Sequence, residues 1–242
     1  MKDETQFAMS KKMEDEIKQL FEETKIAFGK APIKELAVLN DSRWNYSISS
    51  TRLQSNCDLL IGFNWGASKN VPYEAQKEIP KDTFKQLCYK KNELGSLRRV
   101  YKSLKEYLQN DDIDNCVQTN FCFFRSDKED RITKDDLQLS TPLFRKLIQI
   151  VMPKKIIGFS GKLRDYFLSN NLLVSHHDNP IKSNNKTLLV STGIFQMAQK
   201  EIPIYFLPHP NAHYTSEARK EAWQFCFPES IDPPLHVECF NN

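Results

Sequence analysis

Early in the chain Met13, Ile17, Leu20, Phe21, Thr24 and Phe28 fall at helical spacing, with Gly29 and Pro32 behind them as stop signals. An amphipathic helix is therefore expected to open the fold. Residues 33–54 mix Trp44, Tyr46 and Arg52 with polar positions and fit loops or a short second helix. The pattern changes over residues 57–68, CDLLIGFNWGAS, where Leu59, Leu60 and Ile61 have the composition of a buried strand. Gly62 and Gly66 then predict a sharp turn, leaving Asn64 at the carboxyl end of that strand. Beyond a loop holding Pro72, Tyr73 and Pro80, Asp82 and Thr83 offer caps for helical material through Leu97, Val100, Leu104 and Leu108.

An acidic turn at residues 110–114 leads into residues 116–124, which read as a second strand, and a charged loop follows over 126–135. Ser140, or Thr141 with Pro142 behind it, is expected to start a helix through Phe144, Leu147, Ile148 and Val151. Residues 155–159 form a third apolar strand pattern, and 163–168 suit a helix. The polar composition of 169–185 predicts a long loop, 187–192 a strand or hairpin arm, and 202–207 a further strand. Thr215 or Ser216 caps a last helix through Ala218, Ala222, Trp223 and Phe225. Strands separated by helical segments predict a mostly parallel sheet covered on both faces. There are no internal repeats and no low-complexity tract.

With 242 residues, 40% hydrophobic and 27% charged, the chain suits one sizeable core. Its net charge of +3 is too small to imply general attraction to nucleic acid, so any such affinity must come from a local basic surface. No apolar run approaches a membrane span, and residues 1–19 are too charged for a secretory signal, so a cytoplasmic location is expected. Cys57, Cys88, Cys116, Cys122, Cys226 and Cys239 include no CxxC pair, and several lie in apolar runs, which predicts buried reduced thiols.

Two stretches carry the candidate chemistry. In open α/β sheets ligands bind in the crevice outside the carboxyl ends of the strands, which is where Asn64 is expected. It also reads as a simple turn residue capping the next element. Residues 202–213, IPIYFLPHPNAH, run another short apolar strand into a stiff loop in which Pro208 and Pro210 restrict His209. A histidine so placed is either a prepositioned ligand contact or a structural loop residue.

Together these stretches resemble the uracil-DNA glycosylase superfamily. Gly62-Phe63-Asn64-Trp65-Gly66 resembles its first motif in the Gly-x-Asn-Pro-Gly version, and His209-Pro210-Asn211 resembles its second motif, His-Pro-Ser. Between them, Thr119-Asn120-Phe121-Cys122-Phe123-Phe124-Arg125 resembles the strand whose Asn reads a flipped base. The resemblance spans roughly residues 57–227 and leaves the first fifty or so outside it. It implies a three-layer α-β-α sandwich around a central, mostly parallel four-stranded sheet over residues 55–242, with residues 1–54 a helical extension packed on the core. It also implies a monomer that binds DNA, with no metal or organic cofactor. The iron–sulfur branch places its middle cysteine ligand just before the strand-end Arg, where this chain has Phe124, so no cluster is expected.

Carried over position by position, Asn64 would hold the attacking water through its carbonyl oxygen, since a carboxamide gives little base catalysis. His209 would donate to the pyrimidine O2 as charge builds there. Gly62, Phe63, Trp65 and Gly66 would frame the base. Asn120 would pair with its edge, or simply satisfy nearby backbone groups. Tyr73 is the candidate stacking ring, with ordinary packing as its other reading. His213, where relatives often have Leu, and neighbouring Tyr214 would fill the gap left in the duplex. Ser68, Asn211, Arg125, Lys162, Arg219 and Lys220 would reach phosphates, unless the cations are merely solvated.

Uracil-selective relatives often place a Tyr two residues beyond the water-binding residue to exclude substituents at pyrimidine C5, but this chain has Gly66. The implied activity is monofunctional glycosylase action on uracil, mismatched thymine or a C5-modified pyrimidine of phage DNA, leaving an abasic site. A binding protein of the same fold that recognises damaged or foreign DNA without hydrolysis is the second reading. An unrelated α/β nucleotide-binding domain is the third, although no Gly-rich phosphate loop is present.

Overall fold

A computed structural model describes residues 10–40, 42–68, 71–90, 95–108, 111–197 and 200–228. Helices α1 (Lys11–Gly29) and α2 (Pro32–Leu39) precede β1 (Asp58–Gly66), which is followed by α3 (Phe84–Lys90), α4 (Gly95–Tyr107) and β2 (Cys116–Ser126). Then come α5 (Lys134–Val151), β3 (Lys155–Gly158), α6 (Gly161–Ser169), β4 (Leu173–Ser183), β5 (Lys186–Met197), β6 (Lys200–Phe206) and α7 (Ser216–Cys226).

The sheet is mixed and has six strands in the order β2-β1-β3-β6-β5-β4. β2, β1, β3 and β6 run parallel, whereas β5 lies antiparallel to both β6 and β4. The four-stranded expectation is thus corrected to a six-stranded α/β sheet. Alternation along each central strand divides the core between two clusters. Leu59, Ile61, Ile156, Ile204 and Phe206 join one with residues of α1, α2, α5 and α6, while Leu60 and Ile157 join the other with residues of α3, α4 and α7.

The predicted loop over 169–185 is instead largely β4, an edge strand whose side chains are mostly exposed. Only Ile181 and Ser183 are buried there, so its polar pattern carries no core signature and its order comes from the ladder with β5. Asn184, at φ 53°, turns the hairpin in a conformation that Asn tolerates. Pro180, which lacks an N–H, is accommodated on this edge.

Helix α5 starts at Lys134, not near Ser140. Thr133 and Asp136 form a reciprocal capping box, and Pro142 lies inside the helix. The expected single helical stretch beyond Thr83 is divided into α3 and α4, with Thr83 and Gln86 capping each other's backbone at the start of α3. Residues 42–54, unassigned from sequence, lie antiparallel against β2. Ser47 N–H donates to the Phe123 carbonyl (2.9 Å) and Ser50 N–H to that of Gln118 (3.0 Å), so this segment covers the edge of the sheet.

All five described cysteines are free and buried, and Cys239 lies outside the described residues. Burial pushes the Cys57, Cys122 and Cys226 thiols up to about 12 and Cys88 to about 11. Among the described residues, no helix is long and apolar enough to cross a membrane.

Asp136 ties α2 to α5, because its fully buried carboxylate accepts from the Thr133 N–H (2.8 Å) and, across the fold, from the Ile33 N–H (3.0 Å). Asp136→Ala orphans both donors and is expected to cost about 3 kcal/mol in urea unfolding. A loss below about 1 kcal/mol would show that these bonds are dispensable.

Candidate functional site

The chain crosses from one side of β1 to the other between β2 and β3, so the crevice beyond the carboxyl ends of β1 and β3 is a topological switch point. Backbone pairing continues past both neighbouring strand ends. Phe159 N–H donates to the Ile61 carbonyl (2.9 Å), and Leu207 N–H to that of Gly158 (2.8 Å). These bonds fix where the segments after β3 and β6 leave the sheet. A cavity of about 130 Å³ lies there, lined by Gly62, Gln118, Asn120, Phe159, His209 and Pro210 and walled on the helix side by Leu97 and Val100 of α4.

Gly62 pairs with Asn120 in the β1–β2 register. A Cβ at Gly62 would stand 2.1 Å from Asn120 Oδ1, so the carboxamide occupies the space that a side chain would need. This corrects the expected glycine turn. Among the described residues no glycine has positive φ, and β1 extends through Gly66 with its register against β2 shifting only between Asn64 and Trp65, so Gly62 serves close approach and not a bend. Asn120 is only 6% exposed, and its carboxamide has no hydrogen-bond partner among the described residues. Its amide and carbonyl are thereby left for whatever enters the cavity.

His209 is held by its own loop. Asn211 N–H donates to His209 Nδ1 (3.2 Å), and Ala212 N–H donates to the His209 carbonyl (2.9 Å). Arg99 donates to the Pro210 carbonyl (3.1 Å) and Asn211 Oδ1 (3.2 Å), and Arg219 to the Ala212 carbonyl. Although the residue as a whole is exposed, desolvation lowers the imidazole pKa; Glu129 opposes this and Arg219 reinforces it. The shift favours the neutral ring. With Nδ1 accepting, its proton resides on Nε2, which makes that atom a donor.

Asn64 does not line the cavity. It lies two residues further along β1, on the more open side that the alternating burial assigns to Gly62, Asn64 and Gly66. Its amide donates to the Trp65 carbonyl (3.0 Å) and to Ser126 Oγ (2.8 Å), and the Ser126 hydroxyl donates in turn to the Lys128 carbonyl (2.7 Å). Both acceptors require N–H groups, so the amide cannot flip. Its Oδ1 is the atom left as an acceptor.

Several expected contacts are placed elsewhere. Phe63 and Trp65 are buried on the packed side of β1 and line no part of the cavity; Phe63 joins the core cluster there. Tyr73 is absent from the lining. Its hydroxyl accepts from Ser68 N–H (3.1 Å), and its ring lies under the Arg125 guanidinium at 4.7 Å. Arg125 also covers Trp65 at 5.5 Å and donates to the Gly66 carbonyl (3.0 Å) and Ser47 Oγ (2.8 Å). The group expected to reach phosphate is thus a brace between β1, β2 and the segment covering the edge, and burial lowers its pKa. Lys162 forms an ion pair with Asp130. Ser68, Gly66, Asn211 and His213 are exposed, and Tyr214 packs partly against the α4–α7 cluster.

Sequence reading missed Gln118, Phe159, Leu97 and Val100 as lining residues. Gln118 was findable as the same-face neighbour two residues before Asn120. A larger cleft of about 650 Å³ adjoins the cavity, sharing Val100, Phe159 and Pro210 with it. Arg99, Lys102, Arg219 and Lys220 line it, with Glu106 and Glu217 as the opposing charges. Among the described residues no group of three or more His, Cys, Asp or Glu is placed to hold a metal ion. In comparisons with protein-family models and with curated proteins, the chain matches none.

Gly62→Ala is expected to lose about 1–3 kcal/mol of stability through overpacking. Gly62→Ala combined with Asn120→Ala is expected to regain part of that loss, and strictly additive losses in urea unfolding would refute the close approach. For His209, stability tied to the neutral ring is present above the ordinary value of 6.5 and is lost as pH falls through the lowered folded-state value. His209→Gln should therefore lose less stability than the parent between pH 7 and pH 5.

Proposed function

We propose that the protein is a monofunctional DNA glycosylase that hydrolyses the N-glycosidic bond of a flipped-out uracil or C5-modified pyrimidine and leaves an abasic site. The observation that carries this reading is the pairing, across one small cavity, of the free Asn120 carboxamide with the His209 Nε2 donor. At about 130 Å³ the cavity holds about four waters' worth of space, room for a single small ring.

In this mechanism the base leaves the stack and enters beside Gly62, where a carboxamide can match a donor and an acceptor on its edge. As the sugar–base bond breaks, its electron pair departs with the base and charge gathers on the pyrimidine O2. A neutral imidazole donating from Nε2 stabilises that charge without first giving up its proton. Water then adds to the anomeric carbon and releases a proton to solvent. Asn64 Oδ1, with its amide fixed by Trp65 and Ser126, accepts a hydrogen bond from that water and so orients it. Base-excision repair and defence against phage DNA with modified bases are the two settings this chemistry serves.

The second reading, recognition of an extruded base without hydrolysis, is favoured by Asn64 standing outside the cavity lining. One assay decides between them. Oligonucleotides carrying uracil, mismatched thymine or modified cytosines are incubated with the protein and then treated with alkali. Alkali-labile product that falls about a hundred- to a thousandfold in rate with His209→Ala supports hydrolysis. Binding with no such product on any substrate supports recognition alone.

A further inference from the structure

Away from the cavity, α3 and α4 flank a groove of about 430 Å³ lined by Arg98, Arg99, Lys102, Lys105, Tyr89 and Tyr101. Among the described residues no carboxylate lines it, and none of these four cations makes an ion pair. Within the groove these charges repel one another, and only on the cleft side do Glu106 and Glu217 oppose Arg99 and Lys102 among the described residues. Arg98 and Lys102 are like charges one helical turn apart, and Arg98 and Arg99 stand close to the positive end of the α4 dipole with no acid in its first turn. An external anion would relieve both.

The aromatic residues narrow its identity. Tyr89 is 65% exposed, an unusual position for a large ring, and meets Tyr101 edge-on at 5.8 Å with Lys105 Nζ 6.0 Å from the Tyr101 centroid. Cations that track a backbone, together with exposed rings on which bases stack, are the features that hold single strands. A duplex keeps its base faces hidden and would leave Tyr89 without a partner.

Helix α4 also joins this groove to the candidate site. Leu97 and Val100 wall the cavity, while Arg99 and Lys102 line both the groove and the larger cleft, and Arg99 holds the Pro210–Asn211 carbonyl groups of the His209 loop. A basic track therefore runs around one helix to the cavity mouth. We infer that the α3–α4 groove binds an unpaired stretch of the same DNA strand whose base enters the His209 cavity, so that the substrate is single-stranded DNA. This rests on the glycosylase reading for the destination of the base.

The test is fluorescence anisotropy of the full chain with a labelled single-stranded oligonucleotide, the same sequence as duplex, and inorganic polyphosphate as competitor. The parent is expected to bind the single strand more tightly than the duplex. Lys102→Ser with Lys105→Ser should lower the slope of log affinity against log salt by about 1.4, and Tyr89→Ala should weaken binding by about 5- to 150-fold. These side chains lie on the surface, and circular dichroism checks that each variant is folded. Unchanged single-strand affinity in the variants, duplex binding at least as tight, or polyphosphate competing as well as the strand overturns the inference. Base release is measured separately: its absence from every oligonucleotide overturns the glycosylase reading, whereas the Tyr89 and lysine results decide the groove.

Discussion

The arrangement depends on one close approach between neighbouring strands. The Asn120 carboxamide sits where Gly62 has no side chain, and the parallel register of β1 and β2 puts those two residues side by side. A shift of one residue in that pairing would turn Asn120 to the opposite face and into the hydrophobic cluster there. The apolar positions on both sides, Leu59 and Ile61 towards one cluster and Leu60 towards the other, hold the register in place. Core packing therefore sets the position of the polar group at the site.

Around that contact, hydrogen bonds settle orientations that side-chain type leaves open. The Asn211 N–H fixes which imidazole nitrogen of His209 carries the proton. A chain from Asn64 through the Ser126 hydroxyl to the Lys128 carbonyl fixes which end of a carboxamide is free. Desolvation of the imidazole works in the same direction by favouring its uncharged form. These groups are oriented before a ligand arrives, so a ligand is not required to reorganise them.

Elements built on hydrophobic periodicity were legible in the sequence. The stripe from Met13 to Phe28 gives α1, and the apolar runs at Leu59, Ile156 and Ile204 give the central parallel strands. β4 was not legible, because an exposed edge strand buries too little to leave an alternating pattern. The start of α5 was misread because Pro142 resembles a first-turn residue, whereas the Thr133–Asp136 capping box outweighs it. At the site, the strand-end asparagines and the His-Pro loop stood out as polar groups in apolar surroundings. The roles of Tyr73 and Arg125 did not, since a cation stacked between two rings and one facing solvent are the same letter in the sequence.

The segment at residues 42–54 has a further bearing on the molecule. It is bonded along β2 from Gln118 to Phe123, on either side of Asn120, and Arg125 secures it through Ser47. Deleting the amino-terminal portion would strip the outer hydrogen-bonding partners from the strand that carries the Asn120 carboxamide. The early residues are in that sense a splint for the pocket, and a shortened version of this chain would lose the shape of that pocket together with its margin of folding.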